Sequence, residues 1–161
     1  MASKSVTPHF YGNQKMLNLP DLDKITSYRE PGVLRKFCRD FPADAANAEK
    51  HFVELMKYLW LAQKQRIDQE ARPDDESLRF LLAIYDDMIP VDNMWHCFIL
   101  STRDYQRFCE TFFGRFMHHI PDALEDLPPT KEQFAADLEK FASYVFDNLG
   151  AETLRTWFGM A

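Results

Sequence analysis

Apolar residues recur at helical spacing along most of the chain. In the clearest case, from Asp44 to about Gln69, they return every three or four positions while lysines fall on the opposite side. This stripe predicts an amphipathic helix with one face in the core. The apolar positions are Phe52, Leu55, Met56, Leu59 and Ala62.

Shorter apolar stripes flank this long helix. Before it we expect two short helices, over residues 22–28 and 33–41, separated by Pro31. After it, apolar residues at 78, 81, 82 and 85 predict a further helix from Leu78 to Tyr85.

The second half of the chain carries recognisable helix boundaries. Asp92 offers an N-cap for a helix through Leu100, and the next helix, through Tyr105, reaches Gly114, a residue type that often follows a helix. Residues 116–129 are expected to form a loop, since they contain three prolines.

The last helix has boundaries at both ends. Thr130 and Gln133 match a capping box, and Gly150 is placed to close the helix. A short terminal helix over residues 152–158 could then dock through its apolar side chains.

These patterns predict an all-α fold. We expect a single compact helical domain of six or seven helices over residues 21–161. Residues 1–20 show little periodicity and predict an N-terminal arm, flexible or laid over the domain. Only five glycines occur, which argues against an all-β protein with many tight turns.

Composition narrows the possible partners and the compartment. The net charge is −6 and no dense lysine–arginine cluster occurs, so nucleic acid is an unfavourable partner. The chain has no secretory leader and no apolar run of membrane-spanning length, so we expect no membrane partner. Three cysteines without a close pair favour the cytoplasm. A protein or a small molecule is the expected partner.

Candidate chemistry concentrates between residues 91 and 121. Asp92 and His96 are one helical turn apart and share a face, so the carboxylate could orient the imidazole or both could bind one metal ion. His118 and His119 follow on the predicted loop, and only one of them is expected to join His96. The candidate ligands are Asp92, His96, His119 and Cys109, with Trp95, Tyr105 and His118 in supporting positions.

Mixed nitrogen, oxygen and sulfur ligands would favour Zn²⁺ or Fe²⁺ over Mg²⁺ or Ca²⁺. The sequence contains no HExxH, P-loop, GxSxG, GxGxxG or EF-hand motif, so it names no reaction. Structural roles are the more common ones for such residues: Asp92 could act only as a cap, and Cys109 could be a small buried apolar residue.

A family resemblance rests on Val91-Asp92-x-x-Trp95-His96-x-x-x-Leu100, followed by Tyr105, Cys109 and Phe113-Gly114. About thirty residues in this pattern resemble the glycine-rich-domain-containing-protein-like family, in its short bacterial form. The resemblance implies a helical segment without a defined biochemical role. Plant members often carry a second histidine where this chain has Phe98, and their glycine-rich tail is missing here.

Three hypotheses follow. In the first, the protein is a non-enzymatic interaction or accessory protein, and Asp92, Trp95, His96 and Tyr105 form a buried polar network. In the second, a metal or ligand site surrounds His96 and could be catalytic. In the third, Cys97 or Cys109 acts as a nucleophile with a histidine as base.

Overall fold

The computed structural model describes residues 17–119 and 130–159, and within them the chain forms helices and no strand. The six α-helices are α1 (Leu22–Thr26), α2 (Pro31–Asp40), α3 (Ala48–Ala71), α4 (Ile89–Leu100), α5 (Thr102–Phe113) and α6 (Lys131–Phe158). Single 3₁₀ turns occupy Ala45–Asn47, Glu76–Leu78 and Asp86–Met88. The predicted all-α class and helix number are confirmed.

Helix α3 is the centre of the packing. Helices α1, α2, α4 and α6 all contact it, and its apolar stripe is buried except at the partly exposed Ala62. Burial is so extensive that polar residues of α3 also lie inside the protein, and Glu54, Gln63 and Gln65 are all less than 8% exposed. Buried polar groups are costly unless they are hydrogen-bonded. The hydrogen bonds of these side chains therefore fix the position of the segments that pack against α3.

The chain between Leu78 and Tyr85 is not helical, and the prediction of a helix there is wrong. A 3₁₀ turn ends at Leu78, and residues 79–85, here called the 79–85 segment, form neither helix nor strand. The Gln65 side-chain amide donates to the carbonyls of Leu78 (3.1 Å) and Phe80 (3.0 Å), and the Tyr58 hydroxyl donates to that of Leu82 (2.9 Å). Side chains of α3 thus take carbonyls that a helix would have used for its own backbone bonds.

The C-terminal helix contains the break that was predicted at Gly150. This residue has a φ of 83°, which is a left-handed conformation that favours glycine. Beyond the break, Trp157 donates through Nε1 to the buried Glu54 carboxylate (2.8 Å). Lys57 bridges the same carboxylate (2.9 Å) and the Thr153 hydroxyl (3.2 Å). This buried network fixes the last turns of α6 on α3.

Other predicted boundaries can be compared directly. The capping box of Thr130 and Gln133 is present, and Gly114 ends α5 in a left-handed conformation. The division into an arm (1–20) and a domain (21–161) stays a prediction, because residues 1–16 lie outside the described residues. The adjoining residues pack on the helices, where Asn18 donates to the Phe112 carbonyl (2.9 Å).

Membrane crossing can be assessed from helix length and hydropathy. None of the helices within residues 17–119 and 130–159 combines the length and apolar character that a membrane crossing needs.

Replacing Gln65 with Leu tests how the 79–85 segment is held. The variant replaces the amide with an apolar side chain of similar size and leaves the Phe80 carbonyl without this donor, whereas the Leu78 carbonyl keeps its bond from Gln69 Nε2 (2.7 Å). An unsatisfied buried group costs about 1–3 kcal/mol, so we expect the free energy of unfolding, measured by urea denaturation, to fall by about that amount. Gln106→Leu is the control, because Gln106 is exposed on α5. Equal losses in both variants would contradict this role.

Candidate metal centre

Helix α4 places the first two candidate side chains. It begins at Ile89 with Pro90 in its first turn, so Asp92 lies inside the helix and the prediction that Asp92 is the N-cap is wrong. A carboxylate in the first turn is still favoured by the helix dipole. One turn later, His96 Nδ1 lies 3.3 Å from Asp92 Oδ2. The His96 side chain is 52% exposed, which contradicts a buried role for it.

The third side chain comes from the segment after α5. His119 Nε2 lies 2.8 Å from Asp92 Oδ1, and its ring packs against the rings of Trp95 (centroids 4.4 Å apart) and His96 (4.6 Å). The Asp92 carboxylate is therefore placed between two imidazoles, one on each oxygen. His119 is the less exposed of the two histidines, since only 14% of its side chain is accessible.

A chain of buried hydrogen bonds brings His119 to this position. Tyr105, on α5, accepts a bond at its hydroxyl from Trp95 Nε1 (2.9 Å) and donates to the Met117 carbonyl (2.5 Å). Burial raises the pKa of the Tyr105 phenol, so it remains a donor. Gly114 turns the chain at the end of α5, and the bond to Met117 then fixes the backbone two residues before His119.

The arrangement has the donor set of a metal site. One ligand atom each from Asp92, His96 and His119 can be chosen such that all three lie within 4.8 Å of one another. Two imidazoles and one carboxylate suit Zn²⁺ or Fe²⁺, and three protein ligands leave coordination positions open. This is the one cluster of this kind found among residues 17–119 and 130–159.

The remaining candidate residues lie outside the cluster. Cys109 is fully buried on the inner side of α5, and His118 is exposed with its ring 4.9 Å from that of Phe116. Trp95 and Tyr105 are buried and support the site rather than line it. A polar core exists, but it consists of Trp95, Tyr105 and the Met117 carbonyl, without His96.

The cysteines are poorly placed for nucleophilic chemistry. Cys97 and Cys109 are at most 2% exposed, and burial raises the pKa of both thiols. A thiol with a raised pKa carries little thiolate at neutral pH. Cys38 is partly exposed on α2.

One neighbour of the site was not identified from the sequence. Tyr58 of α3 is buried, and its phenol pKa is raised by burial and, to a lesser extent, by the Asp92 carboxylate. Its position in the apolar stripe of α3 marks it as a core residue but does not indicate that it approaches Asp92, which is distant in sequence.

Comparison with known proteins finds a family model that matches part of the chain. Residues 85–137, about a third of the chain, match the model of an uncharacterised family described as UCP032817-like. The resemblance to the glycine-rich-domain-containing-protein-like family is therefore wrong. It rested on a short string whose Trp95 and Tyr105 serve local packing. No curated protein and no solved structure matches the chain.

Tyr105→Phe tests the hydrogen-bond chain beneath the site. The variant leaves the indole N–H of Trp95 and the Met117 carbonyl without their buried partner, at a cost of about 1–3 kcal/mol for each group. We expect a lower free energy of unfolding in urea. The control is Tyr28→Phe, because the Tyr28 hydroxyl bonds only the partly exposed Glu30 carboxylate. If Tyr105→Phe costs no more than the control, the hydroxyl does not anchor the segment.

Thiol alkylation tests the third hypothesis. At neutral pH we expect iodoacetamide to modify Cys38 in the folded protein, while Cys97 and Cys109 react only after unfolding because they are buried and their pKa values are raised. Peptide mass spectrometry after timed labelling measures each rate. Fast modification of either buried cysteine before unfolding would support the hypothesis of a cysteine nucleophile.

Proposed function

We propose that this protein binds a divalent transition-metal ion through Asp92, His96 and His119. The observation that carries the proposal is the convergence of two imidazoles and one carboxylate, from two separate segments, within 4.8 Å. Nitrogen ligands favour Zn²⁺ or Fe²⁺ over Ca²⁺ and Mg²⁺, which prefer oxygen.

The surroundings support an accessible site. Asp92 and His119 lie partly inside the protein, whereas half of the His96 side chain reaches solvent. Trp95 covers one side of the His119 ring and restricts its orientation. A metal ion held here would have protein ligands at three coordination positions, and the remaining positions would face solvent. Water or a small ligand could bind at these positions. No reaction is selected by these residues, and we propose metal binding alone.

A second function is favoured by one specific observation. The 2.8 Å bond between Asp92 and His119 is sufficient to fasten the segment after α5 onto α4 without any ion. In that case the cluster is a structural latch in an interaction or accessory protein. The two functions differ in what they require of His96, which is exposed and contributes little to a latch.

The proposed compartment is the cytoplasm. All three cysteines are free thiols, which fits a reducing environment. A protein or a small molecule remains the proposed partner.

Metal binding by purified, tag-free protein tests the proposal. We expect isothermal titration with Zn²⁺, and with Fe²⁺ under anaerobic conditions, to show one site per chain. His96→Ala, His119→Ala and Asp92→Asn should each weaken it by more than the roughly 10- to 100-fold that loss of an outer-shell partner costs. His118→Ala is the matched control, because this neighbouring histidine is outside the cluster.

The outcomes separate the two functions. Loss of binding in His96→Ala with an unchanged free energy of unfolding supports a metal site. Absence of saturable binding in the native protein, with a stability loss confined to Asp92→Asn and His119→Ala, would favour the latch. Equal weakening by His118→Ala would mean that the affinity does not come from this cluster.

A further inference from the structure

A concave surface lies apart from the metal centre. This groove, of about 590 Å³, runs between residues 83–87, which precede α4, and the two parts of α6. Its apolar lining includes Ile84, Tyr85, Phe134, Leu138 and Phe158. The volume falls within the range of roughly 300–1,000 Å³ that is typical of small-molecule sites.

Aromatic rings form one wall of the groove. Tyr85 is central, with its ring centroid 6.0 Å from that of Phe134 and 5.5 Å from that of Phe158. Phe134 is 49% exposed, although it is a large apolar side chain. The π faces of such rings attract cations, especially substituted ammonium groups, within about 6 Å of the ring centre.

Carboxylate side chains also lie in the groove or close to it. Asp86 and Asp87 line the groove, and Asp137 is close enough to contribute, after burial, to a raised pKa of the Tyr85 phenol. None of the three forms an ion pair with a lysine, arginine or histidine in the described part of the chain. The groove therefore combines an apolar floor, aromatic rings and carboxylates that form no ion pair within residues 17–119 and 130–159.

We propose that this groove binds an organic cation: a small molecule with an apolar body and a substituted ammonium group. The body would lie along Ile84, Leu138 and Phe158, and the ammonium group would lie between the aromatic rings and the Asp86 and Asp87 carboxylates. An anionic ligand is opposed by the carboxylates. A neutral apolar ligand would gain no electrostatic attraction from the Asp86 and Asp87 carboxylates.

The groove and the metal centre share no residue. Neither Asp92, His96 nor His119 lines it. Failure of one proposal therefore leaves the other standing, and a metal chelator should not change binding in the groove.

Titration with three probes that share one alkyl chain tests the proposal. Octyltrimethylammonium, octyl sulfate and octyl glucoside, each below its micelle concentration, are titrated into the full chain by calorimetry. We expect saturable binding of the ammonium probe, at least about tenfold tighter than either of the others, which corresponds to about 1.4 kcal/mol.

Two pairs of variants locate the binding. Phe134→Ala should weaken the ammonium probe at least tenfold, whereas Phe146→Ala should not, because Phe146 is a comparably exposed residue of α6 outside the groove. Asp86→Asn combined with Asp87→Asn should weaken it more than the exposed control pair Asp23→Asn and Asp74→Asn, which removes the same charge.

Other outcomes would overturn the proposal. No saturable binding of octyltrimethylammonium, or equal loss in both variants of either pair, would reject an organic-cation site. Tighter binding of octyl glucoside would assign the groove to a neutral apolar ligand. A dimer in sedimentation experiments that Phe134→Ala dissociates would assign it to a second copy of this chain.

Discussion

The candidate metal centre depends on the hydroxyl group of Tyr105. This one group accepts from the Trp95 indole of α4 and donates to the Met117 carbonyl after α5, so it joins two helices and the segment that follows them. Because the bonds are buried, they are costly to leave unmade. The bond to Met117 fixes the backbone two residues before His119, whose ring contacts Asp92. Buried hydrogen bonds therefore help to position the partly exposed side chains of the candidate site.

The same principle organises the rest of the fold around α3. Buried polar side chains of this helix hold elements whose own sequence does not determine their position. Gln65 holds the start of the 79–85 segment, and Glu54 holds the end of α6 through Trp157. Apolar burial supplies most of the driving force, but it is not directional. These hydrogen bonds add direction, and they place the segment before α4 beside α6, where the aromatic groove forms.

Sequence patterns predicted what local rules determine. Helical spacing gave α3, the capping box at Thr130 gave the start of α6, and the i,i+4 spacing placed Asp92 beside His96. The segment from Leu78 to Tyr85 was wrongly predicted as helix, because distant side chains take its carbonyls. The choice of His119 over His118, the burial of Cys109 and the exposure of His96 depend on how α4 and α5 pack together, and no local pattern encodes that.

X-ray absorption spectroscopy at the zinc edge, on protein loaded with one equivalent of Zn²⁺, identifies the ligands of the proposed metal centre. We expect only nitrogen and oxygen neighbours, at roughly 2.0–2.2 Å, with the scattering pattern of two imidazoles from His96 and His119. A sulfur ligand at about 2.3 Å would instead place a cysteine such as Cys109 on the metal. That result, or a shell with fewer than two imidazoles, would contradict the proposed centre.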